Sequence, residues 1–483
     1  MRDWAALHQW LGTAGSPAAP LSTPPAAPPS GEVAVIGVGR SGAAAARLLR
    51  AAGIAVYASD NGRGPRLDAL ADALRADGVD VQVGGHDLAR IARARRVVVS
   101  PGVPPDVPPL RAAREAGVAV VSEVELALHA LSDATRYIGI TGTNGKTTVT
   151  AMVAQLLQAL GVDAEEAGNI GTPLSEFALR ERPPQWISLE LSSFQLADTP
   201  SVKPAVAVLT NLAPDHLDRY ADLESYYRDK DRLFRNLDGL SVRVVNRDDA
   251  EVLRRTATVR GAAKTFSVER RDADAWYDAD ARVLMLAGAP LLPRDELPLL
   301  GIHNVANALT AALAVHAALP EARTPEGRAK LAEGLRGFVA PPHRLEKVGE
   351  FDGVLWINDS KATNVGAARV AIAGMERPTV LLLGGRHKGE PYSNLLDVMR
   401  GRVKAVVAYG EAEELVVADL QGHVPVERGG SSFDTVLAKA RALAAPGDAI
   451  LLSPACSSYD MFNNYEERGA VFRVKATQSK ASR

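Results

Sequence analysis

A glycine-rich stretch near the middle of the chain carries residue types that can hold a triphosphate. Residues 140–150 read ITGTNGKTTVT, which places a tight turn and a Lys-Thr-Thr between a strand and a helix. In such a turn, backbone N–H groups and the helix N-terminus attract anionic oxygens, the lysine adds charge at the β- and γ-phosphates, and a hydroxyl can bind Mg²⁺. We therefore predict an ATP-type phosphate loop made of Gly142, Thr143, Asn144, Gly145, Lys146, Thr147 and Thr148.

This loop departs from the usual pattern G-x-x-x-x-G-K-[ST], because Ile140 stands where the first glycine is expected. The alternative interpretation is a plain glycine turn before a helix that carries a surface lysine. The order of strand, turn, Lys-Thr-Thr and helix favours the phosphate loop.

Three residues downstream could assist phosphate chemistry. Glu190 ends a strand in SLELSSFQL, where a carboxylate could complete a Mg²⁺ shell with Thr147, although a helix-capping or surface glutamate fits equally well. His216 lies in the polar loop TNLAPDHLDRY, where a single histidine is more often structural than a ligand. Lys230 lies between two aspartates in YYRDKDRLF, a local pattern that favours a salt-bridged, solvated helix face.

Two asparagines share one face of a later helix. Asn304 and Asn307 belong to the small-residue helix that starts in GIHNVANAL. Such amides can contact an adenine or cap a helix, and the sequence leaves both interpretations open.

A second glycine turn lies nearer the N-terminus. The stretch VIGVGRSG places Gly37, Gly39 and Gly42 in the pattern G-x-G-x-x-G after a strand, and Asp60 ends the next strand. This is the dinucleotide fingerprint, which taken alone indicates an NAD-dependent oxidoreductase. The same turn can cradle any nucleotide diphosphate, UDP-sugars included, and the ATP-type loop that follows argues against a simple dehydrogenase.

The elements that must position these residues alternate between apolar strands and helices in three stretches. Alternation of this kind predicts an α/β fold with parallel sheets, in which binding residues follow the strand ends. At the N-terminus, the amphipathic piece DWAALHQWLG leads into a Pro/Ala/Ser-rich stretch. We expect a disordered extension or linker at residues 1–31 and three domains at residues 32–134, 135–340 and 341–483.

Composition excludes several classes of protein. The chain has 483 residues, of which 47% are hydrophobic and 23% charged, and a net charge of −2, so it has no basic field for a nucleic-acid partner. The single cysteine, Cys456, excludes an internal disulfide framework and favours a reducing cytoplasm. No apolar run approaches the roughly 18 residues of a membrane span. The N-terminus lacks the pattern of a signal peptide.

Nine short motifs, taken together and in order, resemble the Mur ligase family, and they cover about residues 32–475. The motifs are TGTNGKTT, GNIG, ELSSFQL, DHLDRY, HNVANA, PPHR, NDSKATN, LLGG..KG and LSPACSSYDMFNNYEERG. Within the family, NDSKATN and SPACSSYDMF are similar to the D-glutamate-adding members. The resemblance implies an N-terminal Rossmann-like domain for the UDP-linked substrate, a central P-loop ATPase-like domain, and a C-terminal Rossmann-like domain that closes over the site.

The same resemblance implies a reaction in cytoplasmic peptidoglycan precursor synthesis. ATP would transfer its γ-phosphoryl group to the L-alanine carboxylate of UDP-N-acetylmuramoyl-L-alanine. The amine of D-glutamate would then attack the acyl phosphate, and ADP and phosphate would leave. We expect the protein to act as a monomer.

The resemblance also implies roles for individual residues. The catalytic residues would be Lys146, Glu190, His216 and Lys230, with one Mg²⁺ on Thr147 and Glu190 and a second on His216 and Lys230. Lys230 would carry a carbamate, which replaces the local interpretation of a surface lysine. Further ATP contacts would come from Asn304, Asn307, Arg344 and Asp359. Contacts to the UDP-linked substrate would come from Gly39, Arg40, Ser41, Asp60, Gly102, Asn169, Ser192 and Gln195. Contacts to D-glutamate would come from Lys361, Thr363, Lys388, Ser458, Tyr459 and Tyr465.

The chain departs from the family pattern in three places. Tyr465 stands where phenylalanine is common, and residues 1–31 have no counterpart in the core pattern. After Asp60 the turn reads NGRG, so the usual basic contact to uracil is not expected there, and Arg63 is the candidate substitute.

Three other hypotheses compete with this one. A folylpolyglutamate-synthase-like ligase would have to explain a complete UDP-type first domain. A nicotinamide-dependent dehydrogenase would show an absorbance change and no ATP use. A catalytically silent nucleotide-binding scaffold would bind ligands without turnover.

Overall fold

The computed structural model describes residues 3–12, 31–216, 219–340 and 342–478. The chain forms two compact units, Met1–Leu292 with Ala308–Leu335 and Pro293–Asn307 with Arg336–Arg483. No helix in the described part of the chain is both long and apolar enough to cross a membrane.

The first sheet is built from five short parallel strands in the order β3–β2–β1–β4–β5. Its strands are β1 Val33–Ile36, β2 Val56–Asp60, β3 Asp80–Val83, β4 Arg96–Val99 and β5 Val120–Ser122. The helices of this region are α1 Trp4–Gly12, α2 Arg40–Ala51, α3 Pro65–Ala76, α4 Leu88–Ile91, α5 Pro108–Glu115 and α6 Glu123–Ala130. The strand order reverses between β1 and β4, which creates the crevice where open α/β sheets bind ligands.

The second sheet has nine strands in the order β14–β13–β12–β11–β10–β9–β6–β8–β7. Its strands are β6 Arg136–Thr141, β7 Ala164–Gly168, β8 Trp186–Glu190, β9 Val206–Leu209, β10 Val242–Asn246, β11 Ala262–Ser267, β12 Ala275–Asp278, β13 Val283–Leu286 and β14 Ala289–Pro293. The α-helices that follow are α7 Lys146–Ala159, α8 Leu174–Ala178, α9 Ser193–Ala197, α10 Leu223–Asp231, α11 Ala250–Thr256, α12 Ile302–Ala318 and α13 Pro325–Arg336. Short 3₁₀ helices span Arg232–Phe234, Arg294–Glu296 and Pro320–Arg323.

Strand β6 lies between β8 and β9, and all three run parallel. In this register Ile140 of β6 pairs with Glu190 of β8, and Thr141 pairs with Leu209 of β9. The loop after β6 therefore begins beside Glu190 on one side and beside the loop that follows β9 on the other.

The third sheet belongs to the second unit and has the order β15–β16–β20–β17–β18–β19. Its strands are β15 Glu346–Phe351, β16 Val354–Asn358, β17 Thr379–Gly384, β18 Val403–Tyr409, β19 Val426–Arg428 and β20 Ala449–Leu452. The α-helices are α14 Val365–Ala373, α15 Leu396–Met399, α16 Glu413–Leu420, α17 Phe433–Leu443 and α18 Tyr465–Thr477, with 3₁₀ helices at Tyr392–Leu395 and Gly410–Ala412. Among the described strand pairs of this sheet, β15–β16 is antiparallel and the others are parallel. Separate apolar clusters pack on the two faces of the sheet.

The predicted α/β fold class is confirmed, because three mostly parallel sheets alternate with helices along the chain. Strands β11, β12, β13 and β14, at one edge of the second sheet, follow one another with no α-helix between them. Strand β12 pairs with β13 antiparallel, so this edge interrupts the regular alternation of strand and helix.

Helix α1 belongs to the core of the first unit. Leu7 and Leu11 are fully or almost fully buried, and the Trp10 ring stacks on His129 of α6 with the ring centroids 4.4 Å apart. The guanidinium of Arg96 lies 4.3 Å above the Trp10 ring and also donates to the Trp10 carbonyl oxygen at 2.8 Å. This part of the expected disordered extension is therefore folded, while residues 13–30 lie outside the described residues.

Replacing Leu11 by alanine should destabilise the first unit, because the substitution leaves a cavity where α1 packs on α6. We expect the free energy of unfolding to fall by about 2–5 kcal/mol, the usual range for a buried leucine, measured by urea denaturation. Leu240→Ala is the matched control, since the Leu240 side chain is 94% exposed. Equal stabilities of the two variants would show that α1 does not pack as described.

Candidate active site

The turn after β6 has a backbone shape that only glycine allows at two positions. Gly142 has φ 145° and Gly145 has φ 84°, values that L-residues rarely adopt. A Cβ at Gly142 would also lie 2.0 Å from the hydroxyl oxygen of Thr210. The turn therefore packs directly on the chain that follows β9, and α7 begins immediately after it.

Residues that follow β9 hold this turn through several hydrogen bonds. The Asn144 N–H donates to Asn211 Oδ1 at 2.9 Å, and Asn211 Nδ2 donates back to the Asn144 carbonyl at 3.0 Å. The Thr143 N–H donates to the Asn211 carbonyl at 2.9 Å, and the Thr210 hydroxyl donates to the Asn144 carbonyl at 2.6 Å. The amide N–H groups of Thr143 and Asn144 thus donate to acceptors within the protein in this structure.

Two lysines converge on this turn. Lys146 Nζ donates to the carbonyl oxygens of Gly142 and Thr143 at 2.9 and 2.8 Å, and Lys230 Nζ donates to the Gly142 carbonyl at 2.7 Å. Lys230 is 1% exposed, so the local interpretation of a solvated, salt-bridged lysine is wrong. Its neighbour Asp229 pairs instead with Arg232, at 2.9 Å. Burial and then the charge of Lys146 hold the pKa of Lys230 well below its usual value.

Glu190 is buried beside the turn, which excludes its interpretation as a surface residue. Its Oε1 accepts a hydrogen bond from Asn169 Nδ2 at 2.8 Å. Its Oε2 is buried and has no hydrogen-bond partner among the described residues. A buried carboxylate oxygen in this state suits a cation, so the donor set fits the Mg²⁺ site predicted for Thr147 and Glu190.

His216 and Lys230 are brought together around one aromatic ring. The His216 ring lies edge-on to Tyr226, with centroids 5.9 Å apart, and Lys230 Nζ lies 4.5 Å from the centre of the same ring. His216 contributes a half-exposed imidazole in a backbone conformation with φ 55°. No group of three or more His, Cys, Asp or Glu side chains suited to a metal occurs in the described ranges.

The first glycine turn lines a cavity of about 720 Å³ at the crevice between β1 and β4. A cavity of this volume is in the range that accommodates a nucleotide-sized ligand. Six of the predicted contacts to the UDP-linked substrate line this one cavity: Gly39, Arg40, Ser41, Asp60, Gly102 and Asn169. Asn169 follows β7 of the second sheet, so its side chain links this cleft to Glu190 beside the phosphate loop.

Asp60 joins the first glycine turn to the turn that follows β2 through its two carboxylate oxygens. Its Oδ2 accepts the Val38 N–H and its Oδ1 accepts the Gly62 N–H, both at 2.8 Å. A Cβ at Gly42 would lie 1.9 Å from the Gly37 carbonyl oxygen, which explains the third glycine of the motif. Arg63 packs against the bare backbone of Gly84, where a Cβ would lie 2.2 Å from its Nε.

Two residues of the cleft were missed by sequence reasoning. His86 and Asn61 line the same cavity, and His86 Nδ1 lies 2.9 Å from the hydroxyl oxygen of Ser59 on β2. Burial lowers the pKa of His86. Its position follows from the pairing of β3 with β2, a contact between distant residues that no local motif encodes.

Ser192 and Gln195 form a capping box at the start of α9. The Gln195 N–H donates to the Ser192 hydroxyl at 3.2 Å, and Gln195 Oε1 accepts the Ser192 N–H at 3.0 Å. Gln195 Nε2 is buried and has no partner among the described residues. Gln195 also lines a smaller cavity of about 100 Å³, together with Ser100, Phe194, Arg219 and Tyr220.

In the second unit, the predicted amino-acid contacts follow neighbouring strands. Lys361 and Thr363 come after β16, Lys388 comes after β17, and Ser458 and Tyr459 come after β20. Because β16, β20 and β17 are adjacent and parallel, these loops lie at one edge of the sheet. Lys361 Nζ lies 5.1 Å from the centre of the ring of Tyr465, which starts α18.

A fully buried arginine that the sequence analysis did not single out joins two of these loops. Arg468 Nε and Nη2 donate to the hydroxyl and carbonyl oxygens of Ser360 at 2.9 and 2.8 Å, and Nη1 donates to the Cys456 carbonyl at 3.2 Å. Arg468 lies inside the motif LSPACSSYDMFNNYEERG, yet nothing local indicates burial of an arginine.

The predicted ATP contacts of the second unit are mostly buried. Asp359 Oδ2 accepts the Ser453 hydroxyl at 2.8 Å and Oδ1 accepts the Leu345 N–H at 3.1 Å, and burial raises the pKa of this acid to about 7. The nearby charge of Arg344 opposes that rise. Asn307 Nδ2 donates to Asn304 Oδ1 at 3.1 Å, and Asn304 Nδ2 donates to the Leu300 carbonyl at 2.8 Å.

Family models match three successive parts of the chain. They are described as Mur ligase MurD-like, N-terminal domain, over residues 31–122; Mur ligase middle domain, over residues 140–315; and Mur ligase, glutamate ligase domain, over residues 343–456.

Two solved structures show the same fold at low sequence identity. The UDP-N-acetylmuramate-alanine ligase of Thermotoga maritima has a TM-score of 0.58 at 19% identity and covers 93% of this chain and 99% of its own. A pseudomurein peptide ligase type C of Methanothermus fervidus has a TM-score of 0.57 at 18% identity and covers 93% of this chain and 100% of its own.

Proteins of similar length share about two-fifths of their residues with the chain. The UDP-N-acetylmuramoylalanine--D-glutamate ligase of Acidobacterium capsulatum is 40% identical over 92% of this chain and 95% of its own. The protein of the same name from Salinibacter ruber is 41% identical over 91% of this chain and 96% of its own. With these relatives and three matching domain models, the chain belongs to the Mur ligase family.

Proposed function

We propose that the chain is an ATP-dependent ligase that adds D-glutamate to UDP-N-acetylmuramoyl-L-alanine through an acyl phosphate, in peptidoglycan precursor synthesis. The observation that carries the proposal is a pair of nucleotide-type sites in the first unit. The cleft at the first glycine turn includes Asn169, which donates a 2.8 Å hydrogen bond to Glu190 beside the phosphate loop. The curated relatives that span almost the whole chain carry the name of this activity.

The chemistry requires positive charge where two anions meet. A carboxylate is a poor electrophile, and transfer of a phosphoryl group to it supplies a leaving group. The carboxylate and the γ-phosphate repel each other, so cationic groups must offset that repulsion in a site with little water. Lys146, at the start of α7, supplies one such charge next to the turn.

Mg²⁺, held by Thr147 and Glu190 at one site and by His216 and Lys230 at another, would supply further charge neutralisation and polarise the phosphate oxygens. Lys230 would serve as an oxygen ligand after its amine has added CO₂ and lost a proton, giving a carbamate. Its burial beside Lys146 favours the neutral amine that this addition needs. The unpartnered Oε2 of Glu190 supports the first site.

In the second unit, Asn304, Asn307, Arg344 and Asp359 are proposed to contact ATP. D-Glutamate is proposed to bind to Lys361, Thr363, Lys388, Ser458, Tyr459 and Tyr465. Two lysines suit a substrate with two carboxylates, since each can form a charge-assisted hydrogen bond. The amine of D-glutamate then attacks the acyl carbon, phosphate leaves, and an amide bond remains.

We also propose a domain division that follows the sequence analysis, with domains at residues 32–134, 135–340 and 341–483 and an N-terminal extension at residues 1–31. The three sheets fall within these three spans. The enzyme is proposed to act as a monomer in the cytoplasm.

The direct test is release of phosphate from ATP in the presence of UDP-N-acetylmuramoyl-L-alanine. We expect release with D-glutamate, and little with L-glutamate or D-aspartate offered in parallel. Absence of release with all three amino acids would refute the proposal. A change in nicotinamide absorbance without ATP use would favour a dehydrogenase instead.

Lys146→Ala should abolish turnover and leave binding of UDP-N-acetylmuramoyl-L-alanine nearly unchanged, because the cleft at the first glycine turn does not include Lys146. We expect kcat to fall by about 10²-fold or more, as for loss of a charge that stabilises a transition state. Lys203→Ala is the matched control, since Lys203 forms a surface ion pair with Asp238. Loss of substrate binding together with turnover, measured by calorimetry, would contradict the division of labour between the two sites.

Lys230→Ala should be inactive, because it removes both the amine and any carbamate formed on it. If an anionic oxygen at this position is what activity requires, then acetate or propionate should restore part of the turnover by occupying the space left by the side chain. Lys146→Ala, treated with the same carboxylates, should not recover. Equal failure of both variants to respond would remove the support for a carbamate at Lys230.

A further inference from the structure

The loop that leads from β9 to α10 holds its histidine in an unusual backbone conformation. His216 has φ 55°, in the left-handed region that residues with a Cβ rarely occupy. Such conformations persist only where the surrounding structure imposes them, and they cluster at functional sites. The contacts that impose this one are therefore candidates for positioning residues.

Two residues that follow His216 in the chain hold its backbone in place. The N–H groups of Arg219 and Tyr220 both donate to the His216 carbonyl oxygen, at 2.9 and 3.0 Å. The side chains of all three residues then meet one ring. The Phe194 ring centroid lies 5.3 Å from that of His216 and 5.4 Å from that of Tyr220, and Arg219 Cζ lies 4.8 Å from it.

Arg219 also reaches the cleft of the first sheet. Its Nη2 donates to the Gly102 carbonyl oxygen at 3.1 Å. Gly102 lines the 720 Å³ cleft, in the loop that follows β4. The guanidinium thus donates a hydrogen bond to Gly102 in the wall of the proposed UDP-substrate cleft and lies over the Phe194 ring, which also packs on His216. The planar head group of arginine suits this combination of contacts better than an ammonium.

We infer that Arg219 is a positioning residue, which fixes the position of His216 relative to the Gly102 loop of the proposed UDP-substrate cleft. It acts through His216 and the Gly102 loop rather than on the reacting atoms. This inference rests on the proposed function, because the position of His216 relative to the Gly102 loop affects turnover only if the ligand of the cleft presents its carboxylate to the phosphate loop. The uridine end of that ligand does not depend on Arg219.

The test compares Arg219→Ala, Arg219→Lys and the control Arg228→Ala, whose arginine is exposed on α10. For Arg219→Ala we expect kcat to fall by about tenfold to a hundredfold, the range seen when a residue that orients a ligand side chain is removed. The Mg²⁺ concentration for half-maximal rate should rise, and the affinity for UDP alone, measured by calorimetry, should change by less than about twofold. Arg219→Lys should be intermediate, because it keeps the charge and loses the planar contact with Phe194.

A double-mutant cycle separates positioning from a general loss of structure. If Arg219 acts through His216, then Arg219→Ala should lower kcat only slightly further when it is introduced into the His216→Ala variant. Additive losses, or kcat and Mg²⁺ dependence equal to those of the wild type, would overturn the inference. A UDP affinity that falls in step with kcat, or an unfolding midpoint lowered in both Arg219 variants, would also overturn it. The wild-type reaction is the control for the proposed function. If the wild type releases no phosphate, the proposed function is refuted, and the inference with it.

Discussion

The carbonyl oxygen of Gly142 accepts hydrogen bonds from two lysines that come from different helices. Lys146 opens α7 and Lys230 lies near the end of α10, and each places its Nζ within 3 Å of this one oxygen. The arrangement holds only while residue 142 has no side chain, because a Cβ there would collide with Thr210. This contact ties the turn to both helices, and burial beside the charge of Lys146 lowers the pKa of the Lys230 amine.

The remaining candidate residues are gathered by a single topological rule. In each parallel sheet, the loops at the carboxyl ends of neighbouring strands lie side by side although they are distant in sequence. Strands β1 and β4 deliver the glycine turn and Gly102, while β6, β8 and β9 deliver the phosphate loop, Glu190 and the His216 loop. Strands β16, β20 and β17 repeat the pattern in the second unit. The enzyme therefore needs no long excursions of the chain to assemble its groups.

The sequence was most informative where the local backbone conformation or the local chemistry requires a particular residue type. The glycine turns, the Lys-Thr-Thr after the second of them and the acid that ends β2 were all predicted, because backbone geometry and phosphate chemistry demand them locally. The alternation of apolar strands and helices likewise predicted an α/β fold with parallel sheets. The folded helix α1 was not predicted, since its amphipathic pattern gave no indication of the surface on α6 that covers Leu7 and Leu11.

Sequence reasoning was least informative where burial depends on distant partners. Local charges predicted a solvated Lys230, but α10 packs against the phosphate loop and Asp229 turns to Arg232 instead. The use of the Thr143 and Asn144 amides by Asn211, and the roles of His86, Arg219 and Arg468, depend on pairs of loops that meet only in the folded chain. Short sequence patterns contain no information about such contacts between distant loops.

The packing of α1 on α6 has a practical consequence for work with the isolated protein. A chain shortened to begin at β1, on the ground that the Pro/Ala/Ser-rich stretch before it is dispensable, would also lose the helix that covers one side of α6. The ring of His129 and the guanidinium of Arg96 would both lose their contact with the Trp10 indole. A partly apolar surface would then be exposed on the first unit. A deletion within residues 13–30 that retains α1 would keep that surface covered.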